Sequence, residues 1–503
     1  MKKSHRIIAL LMALMMASLT ACGTAPETPA ETTAAAETTV PEETTVAEET
    51  TYSRENTPDN LPADLDFEGK TVHFGTLNSN TASLLWAEAS GDVVQDAAYY
   101  RNLSVEERLK VKLKTTKSTE TNGNAYMSTI RALVNAGDAA YDAVTCGHCY
   151  MAPLVVEGYF TNVAAAPYLD YDQPWWAEQF MQIISLNENN RYILVGDILD
   201  STVAGMSSVF FNHKLFGDYY GAPDTLYDLV LDGKWTIDKL REYAAGAYKD
   251  VDGNGKLDMN DILGLGTTAS SPTEHFAYPM GMKFIDRDSE GYPVLIKDQT
   301  RNVEITEKLY KLLYETEGVY VNDDNNSINN ELPAKFAAGT MLFHANTLSA
   351  AGAFREAKDP YGVVPRPKLN EEQENYGALV HDSSYAFAIP ITTKDLNALC
   401  ATMEALAAEG YRTVIPAYYE ITLKVKYAHD SRSSQMMDII HQNATTDWIY
   451  ANNYALSSGG SLGTIQRTLM RDMSSDFVST YTSLAKEAEA AMAQIIAKAK
   501  SGK

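Results

Sequence analysis

From about Phe67 onward the apolar residues switch repeatedly between two periods, and this switching restricts the fold more than any other feature of the chain. Gly69-Lys70-Thr71-Val72-His73-Phe74-Gly75 alternates as a strand does. Ala97, Ala98, Tyr99, Val105 and Leu109 follow at helical spacing, and Val111 to Leu113 returns to strand. Ile130, Leu133 and Val134 make a second helical face that stops at Asn135-Ala136-Gly137-Asp138, after which Tyr141-Asp142-Ala143-Val144 reads as a short buried strand. Alternation of this kind predicts an α/β fold with a largely parallel sheet covered by helices, and ligands beyond the carboxyl ends of the strands. With 503 residues, 45% of them apolar, the chain is long enough for two lobes.

The N-terminal part has a different character. Lys2, Lys3 and Arg6 precede an apolar run from Ile7 to Leu19 that is too short to cross a bilayer and ends in small residues, as an export signal does. Leu19-Thr20-Ala21-Cys22 resembles the lipobox of bacterial lipoproteins. That resemblance implies that residues 1–21 are a signal peptide and that Cys22 is the lipid attachment site, placing the mature chain outside the cell, on the outer face of the cytoplasmic membrane. The alternative is an ordinary signal with a chance cysteine. Residues 22–62 are built of Thr, Glu, Ala and Pro in imperfect repeats such as Glu31-Thr32-Thr33 and Glu37-Thr38-Thr39, which predicts a disordered, extended tether. A net charge of -25, from 66 acidic against 41 basic residues, repels phosphate backbones and argues against a nucleic-acid partner. No later stretch has the apolar length of a membrane span, so the lipid is the only anchor expected.

Several motifs in order resemble one family. Ala136-Gly137-Asp138 followed by Tyr141-Asp142-Ala143-Val144, Leu154 to Gly158 and Phe160 is similar to the first lobe of the extracellular solute-binding proteins of ABC importers, in the sugar-binding group. Val209-Phe210-Phe211-Asn212-His213-Lys214-Leu215-Phe216, Gly233-Lys234-Trp235-Thr236-Ile237, Phe336-Ala337-Ala338-Gly339-Thr340 and Tyr361-Gly362-Val363-Val364-Pro365 continue the likeness to about Asp447. The resemblance implies a two-lobed periplasmic-binding-protein-like fold. Each lobe would be a mostly parallel sheet flanked by helices, with a hinge of crossing strands near Ser201 to Phe211 and Met341 to Asn346. Residues 63–200 plus about 344–392 would form lobe 1, and 201–343 plus about 393–503 lobe 2. It further implies a monomer with two partners, a carbohydrate ligand and the ABC permease subunits.

Asp250-Val251-Asp252-Gly253-Asn254-Gly255-Lys256-Leu257-Asp258-Met259-Asn260-Asp261 places oxygen side chains at positions 1, 3, 5, 9 and 12 of a twelve-residue loop, with Gly at position 6, and matches an EF-hand calcium loop. The ligand set expected for a structural Ca²⁺ is Asp250, Asp252, Asn254, the Lys256 carbonyl, Asp258 and Asp261. Asp261 replaces the usual Glu, which shifts the expected dissociation constant toward roughly 10⁻⁴ to 10⁻³ M. An acidic turn without an ion is the alternative, and no second copy makes the loop a dockerin pair.

Cys146-Gly147-His148-Cys149 copies the tetrapeptide of protein disulfide isomerases, but it follows a strand of the first lobe, not the start of a thioredoxin unit. A structural disulfide or two free thiols is expected there, and Cys400 reads as an ordinary buried cysteine.

Sugar sites pair aromatic platforms with amides and carboxylates. On the loops that line the cleft in the family, the candidates are Trp86, His148, Tyr150, Trp175, Trp176, Glu274, His275, Tyr278, His344, Asn346, Trp448 and Tyr450. Trp175 and Trp176 are adjacent and expected on a helix, so only one can face the cleft. No catalytic residue is assigned. The expected function is a lipid-anchored receptor that captures an oligosaccharide by lobe closure and delivers it to a permease. The alternatives are a surface glycoside hydrolase using paired carboxylates, a thiol oxidoreductase using Cys146 and Cys149, and a surface scaffold that uses the calcium loop.

Overall fold

A computed structural model describes residues 54–322, 327–419 and 431–501. The expected signal peptide, Cys22 and most of the expected tether lie outside the described residues.

Lobe 1 opens with β1 (Lys70–Thr76), α1 (Val93–Leu109) and β2 (Val111–Lys117). Asp92 starts α1 by accepting the N–H groups of Val94 and Gln95, both at 3.1 Å, and Lys110 ends it in the left-handed region. Val94, Ala98, Val105 and Leu109 form the buried face that covers the sheet. The chain continues through α2 (Gly123–Asn135), β3 (Ala143–Gly147), α3 (His148–Glu157) and α4 (Glu178–Ile184). It then crosses by way of α5 (Ser201–Ala204) into β4 (Ser207–Asn212), the first strand of lobe 2.

Lobe 2 adds α6 (His213–Tyr220), α7 (Asp224–Leu231), α8 (Ile237–Ala247), β5 (Leu263–Thr268), α9 (Pro272–Ala277), a small hairpin of β6 (Ile285–Arg287) and β7 (Pro293–Leu295), α10 (Thr300–Tyr314), β8 (Val319–Asn322), α11 (Leu332–Ala337), β9 (Met341–Thr347) and β10 (Tyr361–Pro365). A second crossing through β11 (Ala378–Leu379) returns the chain to β12 (Tyr385–Ala388) and α12 (Leu396–Glu409) of lobe 1. After α13 (Ser431–Gln442), β13 (Ala444–Thr445) leads back to lobe 2, which ends in α14 (Trp448–Ala451), α15 (Ile465–Arg471) and α16 (Phe477–Lys500).

The lobe 1 sheet has the order β12-β3-β1-β2, parallel except for β12. The lobe 2 sheet, β10-β4-β9-β5-β8, is mostly parallel as expected, with β4 the one strand that runs against the others. β4 enters from the crossing against the direction of its neighbours and pairs antiparallel with both β10 and β9, while β5 pairs parallel with β9 and β8. The same pairing corrects the second crossing. Met341 to Asn346 belongs to the central strand β9, and the chain passes between lobes at Ala378 to Ser384. Residues 344–365 therefore belong to lobe 2, and α12 packs against α1 and β1 in lobe 1.

Part of the expected tether is also fixed. Asp59 accepts from Arg108 at 2.7 Å and Arg412 at 3.2 Å, and Leu61 is buried, so the chain is docked on lobe 1 before Pro62. Among the described residues no helix is long and apolar enough to cross a membrane.

Trp175 and Trp176 lie in a turn before α4, not on a helix. Both are buried, and their indole N–H groups donate to the two oxygens of Glu404 on α12, each at 2.8 Å. Burial pushes the Glu404 carboxyl up to about 7 from 4.5, against the lowering effect of these bonds. Glu404→Leu is expected to cost at least about 2 kcal/mol in urea unfolding, because two buried donors lose their acceptor. The folded carboxyl holds its proton more tightly than the unfolded one, so its contribution is fully present below pH 4.5 and is lost as pH rises toward 7. Glu404→Gln should flatten the fall in stability across that window, and an unchanged slope would contradict the assignment.

Candidate functional site: a cleft between the lobes

A cleft of ≈ 980 Å³ lies between the lobes. Lobe 1 lines it with Leu77 to Ser83 after β1, Thr121 to Gly123 after β2 and Tyr150 after β3. Lobe 2 contributes Ser271 to His275 after β5, Ile328 and Asn329 after β8, and Asn346 to Ala353 at the end of β9. Every one of these segments follows the carboxyl end of a strand, where the chain turns and side chains are free to face a ligand. The floor is the hinge: Asp200 to Gly205 of the first crossing and His381 to Tyr385 of the second.

Ser, Thr and Asn dominate the wall, and no Lys or Arg is among its described residues. Asp200 is the single carboxylate among them; burial pushes it up to about 6, offset by its own backbone N–H and Arg101. His381 holds Nδ1 3.1 Å from Asp382 Oδ1, and its ring packs edge-on to His275 at 5.3 Å. Burial raises the Asp382 carboxyl, but the hydrogen bond from His381 and the charges of His381, His148 and Arg467 outweigh it and hold the group well below the usual range. His275 is pushed well down by burial and then by His381 and Arg366, so it is a neutral ring in the wall.

Of the twelve predicted ligand residues, Tyr150, His275 and Asn346 line this cleft. The others are placed elsewhere. Trp86 lies under the Lys117 ammonium, 4.7 Å from its ring centre. His148 is buried, with Nδ1 3.2 Å from the Ser384 carbonyl, and burial pushes it down to about 4. Trp175 and Trp176 line a separate groove of ≈ 470 Å³. Glu274 is buried against Arg467 at 3.2 Å and pushed up to about 7 by burial, which outweighs that cation. Tyr278 donates its hydroxyl to the Gly463 carbonyl at 2.7 Å and packs tilted against Tyr450, centroids 5.1 Å apart. His344 is fully buried beneath Asn346, and Trp448 packs in the lobe 2 core. Aromatic residues large enough to be platforms are also the best core fillers, and the core took most of them. The missed residues are small: Asn80, Thr81, Asn122, Ser271, Asn329 and Ser349. Their one signal in the sequence is their place just after strands.

Cys146 and Cys149 are free and buried. Burial pushes Cys146 up to about 12 and Cys149 well above the usual thiol range, which leaves neither the thiolate needed for disulfide exchange. Cys400 is free and buried as expected.

In the 250–261 loop, Asp250, Asp252 and Asp261 bring one carboxylate oxygen each within 4.8 Å of one another. Gly255, at φ +70°, donates its N–H to Asp250 Oδ2 at 2.9 Å, a turn that a side chain would strain. Asn254 Nδ2 donates to Asp252 at 2.9 Å and Asp258 at 3.1 Å, and its Oδ1 accepts the Lys256 N–H at 2.6 Å. Lys335 Nζ donates to the carbonyls of Met259 (3.0 Å) and Asp261 (2.6 Å), pinning the end of the loop to α11. These hard oxygen donors are the kind that Ca²⁺ prefers.

No protein-family model and no curated protein sequence matches the chain. Solved structures do. UspC of M. tuberculosis superposes with a TM-score of 0.54 at 15% identity over 84% of this chain and 100% of that one. The galacto-N-biose-/lacto-N-biose I-binding protein of a Bifidobacterium longum ABC transporter, in complex with lacto-N-biose, gives 0.55 at 13% over 85% and 98%. UgpB of Mycobacterium tuberculosis, in complex with glycerophosphocholine, gives 0.53 at 13% over 85% and 100%. The chain has the two-lobed periplasmic-binding-protein-like fold.

Proposed function

We propose that the protein is a lipid-anchored, extracellular solute-binding receptor that captures a carbohydrate, an oligosaccharide of a few units, and passes it unaltered to the permease of an ABC importer. The observation that carries this reading is the cleft itself. It is bounded by both lobes and by the crossings, and its wall is rich in hydroxyls, amides and imidazoles with no Lys or Arg among its described residues. Such a wall suits the rim of hydroxyls on an uncharged sugar and offers no Lys or Arg charge to a phosphate or carboxylate among its described residues. A glycosidase needs two carboxyl groups facing each other across the bond, and the described wall supplies Asp200 alone, which favours binding over hydrolysis. The Bifidobacterium longum protein of the same fold binds lacto-N-biose, which supports the ligand class.

A thermal-shift panel of neutral oligosaccharides tests this. A ligand at saturating concentration is expected to raise the melting temperature by about 3–5 °C and to be recovered unchanged by mass spectrometry. No shift with any saccharide, or recovery of shortened products, would overturn the reading.

The anchor belongs to the same proposal and rests on the lipobox sequence. Cells making the full chain should incorporate labelled fatty acid into it and retain it at the membrane, whereas Cys22→Ala should abolish the label and release the protein. A variant that stays labelled would remove Cys22 from this role.

We also propose that the 250–261 loop holds a structural Ca²⁺ by Asp250, Asp252, Asn254, the Lys256 carbonyl, Asp258 and Asp261. The loop motif and the converging oxygens of Asp250, Asp252 and Asp261 support it. Millimolar calcium should raise the melting temperature by roughly 1–3 °C, reversibly with chelator, and Asp250→Ala should lose that increment. A wild-type protein that melts identically with and without chelator would contradict it.

A further inference from the structure

The C-terminal end of α4 is closed from the opposite lobe. The helix itself sits on lobe 1: Phe180, Met181 and Ile184 are buried, Phe180 packs edge-on to His148 with centroids 5.5 Å apart, and Ala177 just before it donates its N–H to the Val195 carbonyl at 3.0 Å. A helix ends in carbonyls that have no partner within the helix. Here lobe 2 supplies the donors. Arg287 of β6 donates through Nη2 to the carbonyls of Gln182 at 3.1 Å, Ile183 at 2.8 Å and Ser185 at 2.9 Å, and through Nη1 to that of Leu186 at 2.6 Å. Asn452, the residue after α14, takes the one between, with Nδ2 3.2 Å from the Ile184 carbonyl. Every carbonyl from 182 to 186 is therefore held by a side chain of lobe 2.

The two donors stand on one support. Asp447 Oδ2 accepts the N–H groups of Phe284 at 2.9 Å and Ile285 at 3.3 Å, which fixes the start of the β6–β7 hairpin, and its Oδ1 accepts the Ile449 N–H at 2.9 Å, which starts α14. Gly291, at φ +78° in the hairpin turn, brings its carbonyl to 3.0 Å from Arg287 Nη1 and so helps to aim the guanidinium. A guanidinium holds its N–H donors in a fixed plane, which a lysine ammonium does not reproduce, and its positive charge suits the negative end of a helix. Neither Arg287 nor any residue from 182 to 186 lines the cleft. A change at Arg287 thus removes no contact with a ligand lying there.

We propose that Arg287 is a positioning residue: by closing the end of α4 from lobe 2 it holds the lobes at the angle that gives the cleft its binding shape, without touching the ligand. This goes beyond the carbohydrate reading of the cleft and rests on it for the choice of probe. Without the brace a fraction of the molecules leaves the binding arrangement, and apparent affinity falls in proportion.

The test is calorimetric titration with the saccharide that gives wild type its largest thermal shift, together with the ligand-free distance between spin labels carried on genetically encoded residues in place of Ser104 of α1 and Glu304 of α10, both exposed. Arg287→Ala is expected to bind at least about fivefold more weakly and to broaden the distance distribution. Arg287→Lys, which keeps the charge and reaches fewer of the carbonyls, is expected to fall between it and wild type, and carries the test should Arg287→Ala not fold. Unchanged affinity in the variants, or weaker binding with the label distances unmoved, overturns the proposal and leaves the carbohydrate reading standing. A wild type that binds no saccharide overturns that reading, and the label distances then decide the brace alone: a distribution identical in wild type and both variants overturns it.

Discussion

The chain passes between the two halves of this protein where three of its segments lie side by side, and the rest of the structure depends on how those crossings are paired. β11 pairs with β13 over two residues, and Met206 bridges to Val380. The Ser207 hydroxyl accepts the Leu379 N–H at 2.9 Å, and His381 donates its N–H to the Gly205 carbonyl at 3.1 Å. Away from the crossings, Arg287 of the lobe 2 hairpin also reaches lobe 1, donating to the carbonyls of Leu186 at 2.6 Å, Ile183 at 2.8 Å, Ser185 at 2.9 Å and Gln182 at 3.1 Å. Because the crossings also form the cleft floor, a ligand lying there touches both lobes and the hinge together. A ligand that makes contacts in only one relative position of the lobes biases their equilibrium toward it.

The polar character of the cleft contrasts with the groups buried behind it. Glu274, His148 and His344 lie beneath the wall, each shifted by burial toward its neutral form. Asp382 is the exception, held ionised by the cationic and hydrogen-bonding groups around the second crossing.

Much of the fold was legible in the sequence because period is set locally. The strand at Lys70–Thr76, the helix ending at Leu109, the helix Leu396–Glu409 and the last helix from Phe477 all follow from spacing of apolar residues. What spacing does not carry is which strand lies beside which. Met341–Thr347 reads equally well as a crossing or as a central strand, and only its pairing with β4 and β5 decides it. Residues 54–62 look like tether by composition, yet Asp59 finds two arginines distant in sequence. The site was less legible than the fold for a related reason. Trp175, Trp176, Tyr278 and Trp448 have the chemistry of sugar platforms and the size of core residues, and nothing in their local sequence separates the two uses. Tyr150 was found because it stands just after β3, whereas Asn346 was chosen as part of the second crossing and lines the cleft from the end of β9 instead; the serines, threonines and asparagines around them follow strands without an individual signature.

The most direct test of the central claim, that the two lobes close on a saccharide, is small-angle X-ray scattering of the protein without and with saturating ligand. The account predicts a smaller radius of gyration in the presence of the saccharide, reversed when the sugar is dialysed away. An unchanged radius with the saccharide demonstrably bound would contradict it.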